Sequence, residues 1–223
     1  MKIQLFIMCK APVAGRVKTR LLRHKVNPPG DILLFHNSPD GKAREGALGQ
    51  YTNEQAAALY KSMAETVIRR ASRLFDDVCI AADDPAHPFF SSFNLPLCAQ
   101  GEGDLGQRMS RLMLQGFTDG ADTVMFLGTD SPHMPESRLL QAMAALQDYD
   151  IVIGPVEDGG YDLLAMTAPA DVFDEIAWSS GKVLGQTLFH IQRLGLSCLQ
   201  LDIGFDIDYP EDLARAAQAG WQP

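Results

Sequence analysis

The residues able to do chemistry in this sequence fall into two opposed sets. The acidic set begins with Asp130, which ends the run Val124-Met125-Phe126-Leu127-Gly128-Thr129-Asp130-Ser131-Pro132. Asp158 follows a second apolar run, within Glu157-Asp158-Gly159-Gly160-Tyr161, and Asp202, Asp206 and Asp208 follow a third. Carboxylates at strand ends suit a hard cation, and Mg²⁺ or Mn²⁺ is typically held by one or two of them together with substrate phosphates. The acids to group are Asp130, Asp158, and Asp206 or Asp208. The basic set is Lys10, Arg16, Lys18, Arg20, Arg23 and Lys25, six of the nineteen Lys and Arg, crowded between residues 10 and 25. A diphosphate needs backbone N–H groups from a tight turn and fixed cations beside its oxygens. Gly15 and the Arg16/Lys18/Arg20 alternation offer both, although a solvated basic loop explains the same residues equally well. Lys18-Thr19 resembles the end of a P-loop, but the required glycines are missing.

These residues must be positioned by strands and helices. Residues 124–127 carry no polar alternation, which predicts a parallel strand covered on both faces, and in open α/β sheets ligands sit beyond the carboxyl ends of such strands. Further strands are expected at 3–9, 78–82, 95–98, 150–155 and 196–201. Helices are expected from Thr52 to Leu74, opened by a Thr52/Gln55 capping box, and after Asp104, as N-cap, with Leu105, Met109, Leu112 and Met113 on one face. Others follow Pro135, with Leu139, Leu140, Met143 and Leu146 inward, and Ser180, as cap, with Leu194 at the end of the buried face. A terminal helix begins near Pro210, where Asp208 alone would read as a cap. Asp83-Asp84-Pro85 favours a turn over a nucleoside contact. Asp158-Gly159-Gly160 reads equally as a hairpin turn or as a sugar or acceptor contact. Trp178-Ser179 could line the acceptor side.

Alternating strands and helices give a three-layer α/β/α fold with a mainly parallel twisted sheet, in a single domain spanning 1–223 with an insertion or flap at 23–50. That segment holds one apolar run, Ile32 to Phe35, and two histidines, His24 and His36. With 46% apolar residues the chain can bury a sizeable core, whereas a formal charge of −9 argues against nucleic acid as partner. No CxxC pair links Cys9, Cys79, Cys98 and Cys198, so buried thiols in a reducing compartment are expected. The apolar start is too short for a signal peptide and no run approaches a membrane span, which together predict a cytoplasmic protein. No motif joins Cys9 and His133 into a nucleophilic pair. Homodimers are common at this size, but no interface signature is present.

Several segments together resemble a known family. Lys10-Ala11-Pro12-Val13-Ala14-Gly15-Arg16-Val17-Lys18-Thr19-Arg20-Leu21, Gly101-Glu102-Gly103-Asp104-Leu105-Gly106, Gly128-Thr129-Asp130-Ser131-Pro132, Glu157-Asp158-Gly159-Gly160-Tyr161, Trp178-Ser179 and Asp206-Ile207-Asp208-Tyr209-Pro210-Glu211-Asp212-Leu213 match it in order. It is the bacterial GT-A-fold glycosyltransferase family of the radical-SAM/selenodomain-associated type, within the nucleotide-diphospho-sugar transferase superfamily. The resemblance implies a GT-A-like fold, Asp130 as a metal-binding acid, Asp208 as a second metal ligand, and Arg16, Lys18 and Arg20 as phosphate contacts. Lys10, Gly15 and Asp104 complete the nucleotide-binding set. Three departures stand out: the 23–50 segment, Asp162 where a second aromatic is commoner, and Gly181-Lys182 in place of a Pro-containing pair.

The expected activity is metal-dependent transfer of a glycosyl group from a nucleotide-diphospho-sugar to a small-molecule acceptor, with Asp158 as general base or acceptor ligand. Nucleotidylyl transfer from a nucleoside triphosphate, releasing pyrophosphate, is the alternative. A non-catalytic nucleotide-binding protein is the second.

Overall fold

The computed structural model describes residues 2–22 and 51–223, and the proposed insertion or flap at 23–50, with its apolar run and histidines, lies outside the described residues. The strands are β1 (Ile3–Cys9), β2 (Asp77–Ala82), β3 (Leu97–Ala99), β4 (Thr123–Leu127), β5 (Ile151–Pro155), β6 (Tyr161–Met166) and β7 (Cys198–Gln200). The α-helices are α1 (Asn53–Leu74), α2 (Leu105–Thr118), α3 (Glu136–Ala145), α4 (Val183–Arg193) and α5 (Pro210–Gln218).

Among the described residues the strands form one sheet in the order β3-β2-β1-β4-β6-β5-β7. β1 pairs in parallel with both β2 and β4, as does β2 with β3 and β5 with β7. β6 runs antiparallel between β4 and β5. The expected three-layer, mainly parallel α/β architecture is therefore observed. The chain moves outward from β1 to β3 and then returns past β1 to β4, so the strand order reverses between β1 and β4. At such a switch point the loops diverge and leave a crevice at the carboxyl ends.

Every residue of β4 is buried. Met125 and Leu127 pack with Ala64, Val67 and Ile68 of α1 and Leu139 of α3, while Val124 and Phe126 face Met109, Leu112 and Met113 of α2 and Ile191 of α4. Two covered faces remove the need for polar alternation, and each such side chain contributes roughly 1.5–3 kcal/mol of transfer free energy. A smaller cluster joins Leu21, the outer side of α1 at Leu59 and Met63, Ile207 and Trp221, which ties the basic loop and the C-terminal segment to the same helix.

The capping boxes explain two helix starts: Thr52 with Gln55 opens α1 and Asp104 with Gln107 opens α2. Other expectations need correction. Pro135 is the N-cap of α3 rather than a first-turn residue. Lys182, without a side-chain cap bond, precedes α4, while the Ser180 hydroxyl serves the turn before it, donating to the Ala177 carbonyl at 2.6 Å and accepting from the Lys182 N–H at 3.3 Å. Tyr209 is the N-cap of α5, which releases the Asp208 side chain for another use. Leu105, Leu140 and Leu194, expected on buried faces, are exposed; Leu105 lies instead along the cleft described below.

Candidate functional site

The crevice at the reversal point is a cleft of about 610 Å³. Its acidic wall combines Asp130 from the end of β4, Asp158 from the β5–β6 turn, and Asp206 and Asp208 from the segment after β7. Arg20, Tyr161, Trp178 and Phe205 also face it. Local bonding fixes this convergence. The Ile207 N–H donates to the Asp130 carbonyl at 3.0 Å, joining the two acidic segments through their backbones. Ser131 Oγ lies 2.6 Å from Asp206 Oδ1 and 2.8 Å from the Phe205 carbonyl oxygen, both acceptors for its proton. Asp212 accepts from the Asp208 and Tyr209 N–H groups at 3.0 and 2.8 Å, which orients Asp208 away from the helix.

Lys18 enters this acidic cluster from the basic loop. Its ammonium lies 2.9 Å from Asp130 Oδ1 and 3.1 Å from Asp208 Oδ1, and its side chain is 4% exposed. Burial alone would lower the Lys18 ammonium, but Asp130 and Asp208 outweigh it and hold it above the ordinary lysine value. Arg20 donates to Asp208 Oδ2 at 2.7 Å from a more exposed position. Burial pushes Asp208 up, yet Lys18 and Arg20 together hold its carboxyl below the usual range. Asp206 differs: burial, then the neighbouring Asp130, push it up to about 7.

The neighbouring loops are held as firmly. Tyr60 of α1 accepts from the Lys10 N–H at 2.9 Å and lies 3.0 Å from Thr129 Oγ1, so one buried phenol joins the carboxyl ends of β1 and β4. Asp83 accepts from the Ala11 N–H at 2.7 Å and pins the basic loop, a use beyond the expected turn. Cys9, buried beside Tyr60, has its thiol pushed up to about 12 by burial, which suits an inert core group. All four cysteines are free thiols, with Cys9 and Cys79 buried.

The Asp158-Gly159-Gly160 turn closes the β5–β6 hairpin, and Asp158 and Gly160 line the cleft. Asp158 Oδ1 accepts from the Gly160 N–H at 2.8 Å. Gly159 has φ +85°, and a Cβ there would stand 2.4 Å from the Gly181 carbonyl oxygen. Only glycine lets the two loops approach so closely.

The structure thus brings Lys18, Arg20, Asp130, Asp158, Asp206 and Asp208 together. Lys10, Gly15, Arg16, Lys18 and Asp104 are not among the residues lining the cleft, and Lys18 joins its wall only through the ion pairs with Asp130 and Asp208. Asp104 accepts from the Gln107 N–H as the α2 cap, and Gly15 supplies a turn at φ +77°. Nothing local marks the contacts of Ser131, Tyr60 and Phe205, because each is made with a partner fifty or more residues away in sequence. Asp162, noted as a departure, is buried and paired with Arg138 at 3.2 Å.

Among the described residues no group of three His, Cys, Asp or Glu side chains could hold a metal ion. Two carboxylates completed by substrate oxygens would suffice for Mg²⁺ or Mn²⁺. Asp130 and Asp208 fit that donor set: both offer hard oxygen, and both already face the Lys18 ammonium.

The fold is an α/β one of the nucleotide-diphospho-sugar transferase-like class. The chain belongs to the family described as uncharacterized protein conserved in bacteria (DUF2064), which it matches over residues 63–180. A protein from Desulfovibrio desulfuricans G20, provisionally named a nucleotide-diphospho-sugar transferase, is 31% identical, with 94% of this chain and 84% of that one covered and a TM-score of 0.75. Two more distant structures share the fold. CMP:2-keto-3-deoxy-manno-octonic acid synthetase complexed with CTP is 13% identical over 99% of each chain, with a TM-score of 0.56. 4-Diphosphocytidyl-2C-methyl-D-erythritol synthase is 11% identical over 99% of this chain and 98% of that one, with a TM-score of 0.57. No curated protein sequence matches this chain at a significant level. Among the described residues no helix is long and apolar enough to cross a membrane.

Proposed function

We propose that this protein is a metal-dependent transferase that takes a nucleotide-diphospho-sugar as donor and passes its glycosyl group to a small-molecule acceptor. One observation carries this reading: two cations of the basic loop, Lys18 and Arg20, pair with Asp130 and Asp208, two acids that line a cleft of about 610 Å³. The named function of the relative from Desulfovibrio desulfuricans supports it.

Asp130 and Asp208 would hold Mg²⁺ or Mn²⁺, which when bound supplies charge neutralisation for a departing nucleoside diphosphate. Lys18 and Arg20 stand within reach of the same diphosphate and would share its charge, acting as preorganised electrostatic partners. Asp158 faces the cleft from the opposite loop, where a carboxylate can accept the proton of an attacking hydroxyl. Trp178 and Tyr161 give the cleft an aromatic side against which a sugar or acceptor can pack.

Calorimetric titration with nucleoside diphosphates, triphosphates and nucleotide sugars, with and without Mg²⁺ or Mn²⁺, tests the reading on the native protein and on Asp130→Asn. Metal-dependent binding of a nucleotide sugar, weakened at least tenfold in Asp130→Asn, is expected. Selective binding of a triphosphate with release of pyrophosphate would replace glycosyl transfer by nucleotidylyl transfer. Binding that survives Asp130→Asn without any turnover would make this a nucleotide-binding protein.

A further inference from the structure

Both carboxylate oxygens of Asp208 face cations of this chain. Lys18 lies on Oδ1 and Arg20 on Oδ2, and the same Lys18 ammonium lies on Asp130 Oδ1. An ion bridging Asp130 and Asp208 through the oxygens they turn towards each other would occupy the place of the Lys18 ammonium. Two cations cannot share it, because an ammonium and a metal ion cannot fill the same few ångströms, and their mutual repulsion adds to that exclusion.

Lys18 is also held in an unusual way. Its backbone has φ +48°, the left-handed region that residues other than glycine adopt at a cost. The loop before it turns at Gly15, with Arg16 N–H donating to Val13 O at 3.0 Å, and the loop after it is anchored by Leu21 N–H to the Lys18 carbonyl at 3.0 Å. The 4%-exposed side chain therefore rests on a short span with one left-handed residue, held by its two carboxylate partners and by the buried Val17 and Leu21 on either side.

We propose that Lys18 is the resident counter-cation of the Asp130/Asp208 pair and must leave it before a divalent metal can enter, so that it acts as a positioning residue coupling metal binding to diphosphate binding. This rests on the transferase reading only for the identity of the second partner: the diphosphate of the donor is the anion that can accept the displaced ammonium. A metal alone must evict Lys18 into a poorer environment, whereas metal and diphosphate together give every charge a partner. Linkage then requires each ligand to strengthen the other.

The test is titration of MnCl₂ alone, followed by calorimetry and by the electron paramagnetic resonance of free Mn²⁺, into native protein, Lys18→Met and Arg20→Met. Each variant removes one positive charge from Asp208, but only Lys18→Met vacates the place between the two acids. Lys18→Met is expected to bind Mn²⁺ at least tenfold more tightly than native protein, and Arg20→Met less than threefold more tightly. Equal gains in both would reduce Lys18 to one local charge among others and overturn the proposal, as would no gain in Lys18→Met. A measurement on native protein stands beside this in case Lys18→Met folds poorly. With ¹⁵N-labelled lysine, the protected ammonium resonance of Lys18 should shift or exchange away when Mg²⁺ and a nucleoside diphosphate are added together, and an unchanged resonance at saturation overturns the proposal. Native protein that binds nucleotide sugars but shows no gain in Lys18→Met would defeat this inference and leave the function standing. The Mn²⁺ gain without any nucleotide binding would do the reverse.

Discussion

Lys18 and Asp208 stand 190 residues apart in sequence and 3.1 Å apart in space. That contact joins the basic loop after the first strand to the acidic segment before the last helix, and the candidate site depends on it. Replacing Asp208 by Ala leaves Lys18 and Arg20 each short of a partner. For a pair that is only partly shielded from water, a loss of about 2 kcal/mol is expected, below the 3–5 kcal/mol of a fully buried pair. Urea denaturation of Asp208→Ala at neutral pH measures it, and a change under 0.5 kcal/mol would mean that solvent already carries the interaction.

Arg138 and Asp162 should matter more for stability. The pair is 3.2 Å apart, with side chains 9% and 3% exposed, and Arg138 also donates to the Pro155 and Asp202 carbonyls. Arg138→Met strands a carboxylate in the interior and should cost about 3–5 kcal/mol. Joint replacement by Arg138→Met and Asp162→Leu should recover most of that loss. If the double variant is no more stable than the single one, the lost carbonyl bonds, not the ion pair, dominate.

The pH dependence contains contributions of opposed sign, with His133 on one side and Asp162, together with the raised Asp206, on the other. Burial, reinforced by Arg215 and Arg70, pushes His133 down to about 4. In the unfolded chain it would take up a proton near pH 6.5, so between about 6.5 and 4 the unfolded state binds more protons and stability falls as pH falls. Asp162 has the opposite sign. Burial raises it to about 6, so below that value the folded state keeps a proton that the unfolded state releases, and stability rises as pH falls towards 4. His133→Phe preserves the stack on Phe205, 3.8 Å between ring centroids, and removes only the first contribution. The melting temperature of His133→Phe relative to native protein should therefore climb steadily from pH 7 to pH 4.5. A difference independent of pH would show that His133 titrates alike in both states.

Gly159 is the position where a single methyl group should reshape the cleft. Alanine there meets a left-handed backbone and the Gly181 carbonyl 2.4 Å from its Cβ. Backbone cannot swing aside as a side chain can, so Gly159→Ala should cost about 2 kcal/mol and displace the turn that carries Asp158. Thermal unfolding and nucleotide-sugar titration on one sample would read both effects. Wild-type values in each would mean that the two loops yield freely.

The type and order of most elements are legible in the chain itself. Apolar runs without alternation at β4 and β5 require strands covered on both faces, and the Thr52/Gln55 box and the Asp104 cap locate two helix starts, because capping is decided within four residues. The acids at strand ends and the basic loop are visible as residue types. Their partners are not. Sequence spacing cannot say that Asp208 turns from a helix cap towards Lys18, that Ser131 reaches Asp206, or that Tyr60 ties the ends of β1 and β4, since each depends on the register of distant strands. Leu105, Leu140 and Leu194 obey helical periodicity and are nevertheless exposed, for periodicity gives an apolar stripe but not where the neighbouring element stops covering it. Local chemistry is written in the chain; which charges neutralise one another is decided by how the sheet folds back at β4.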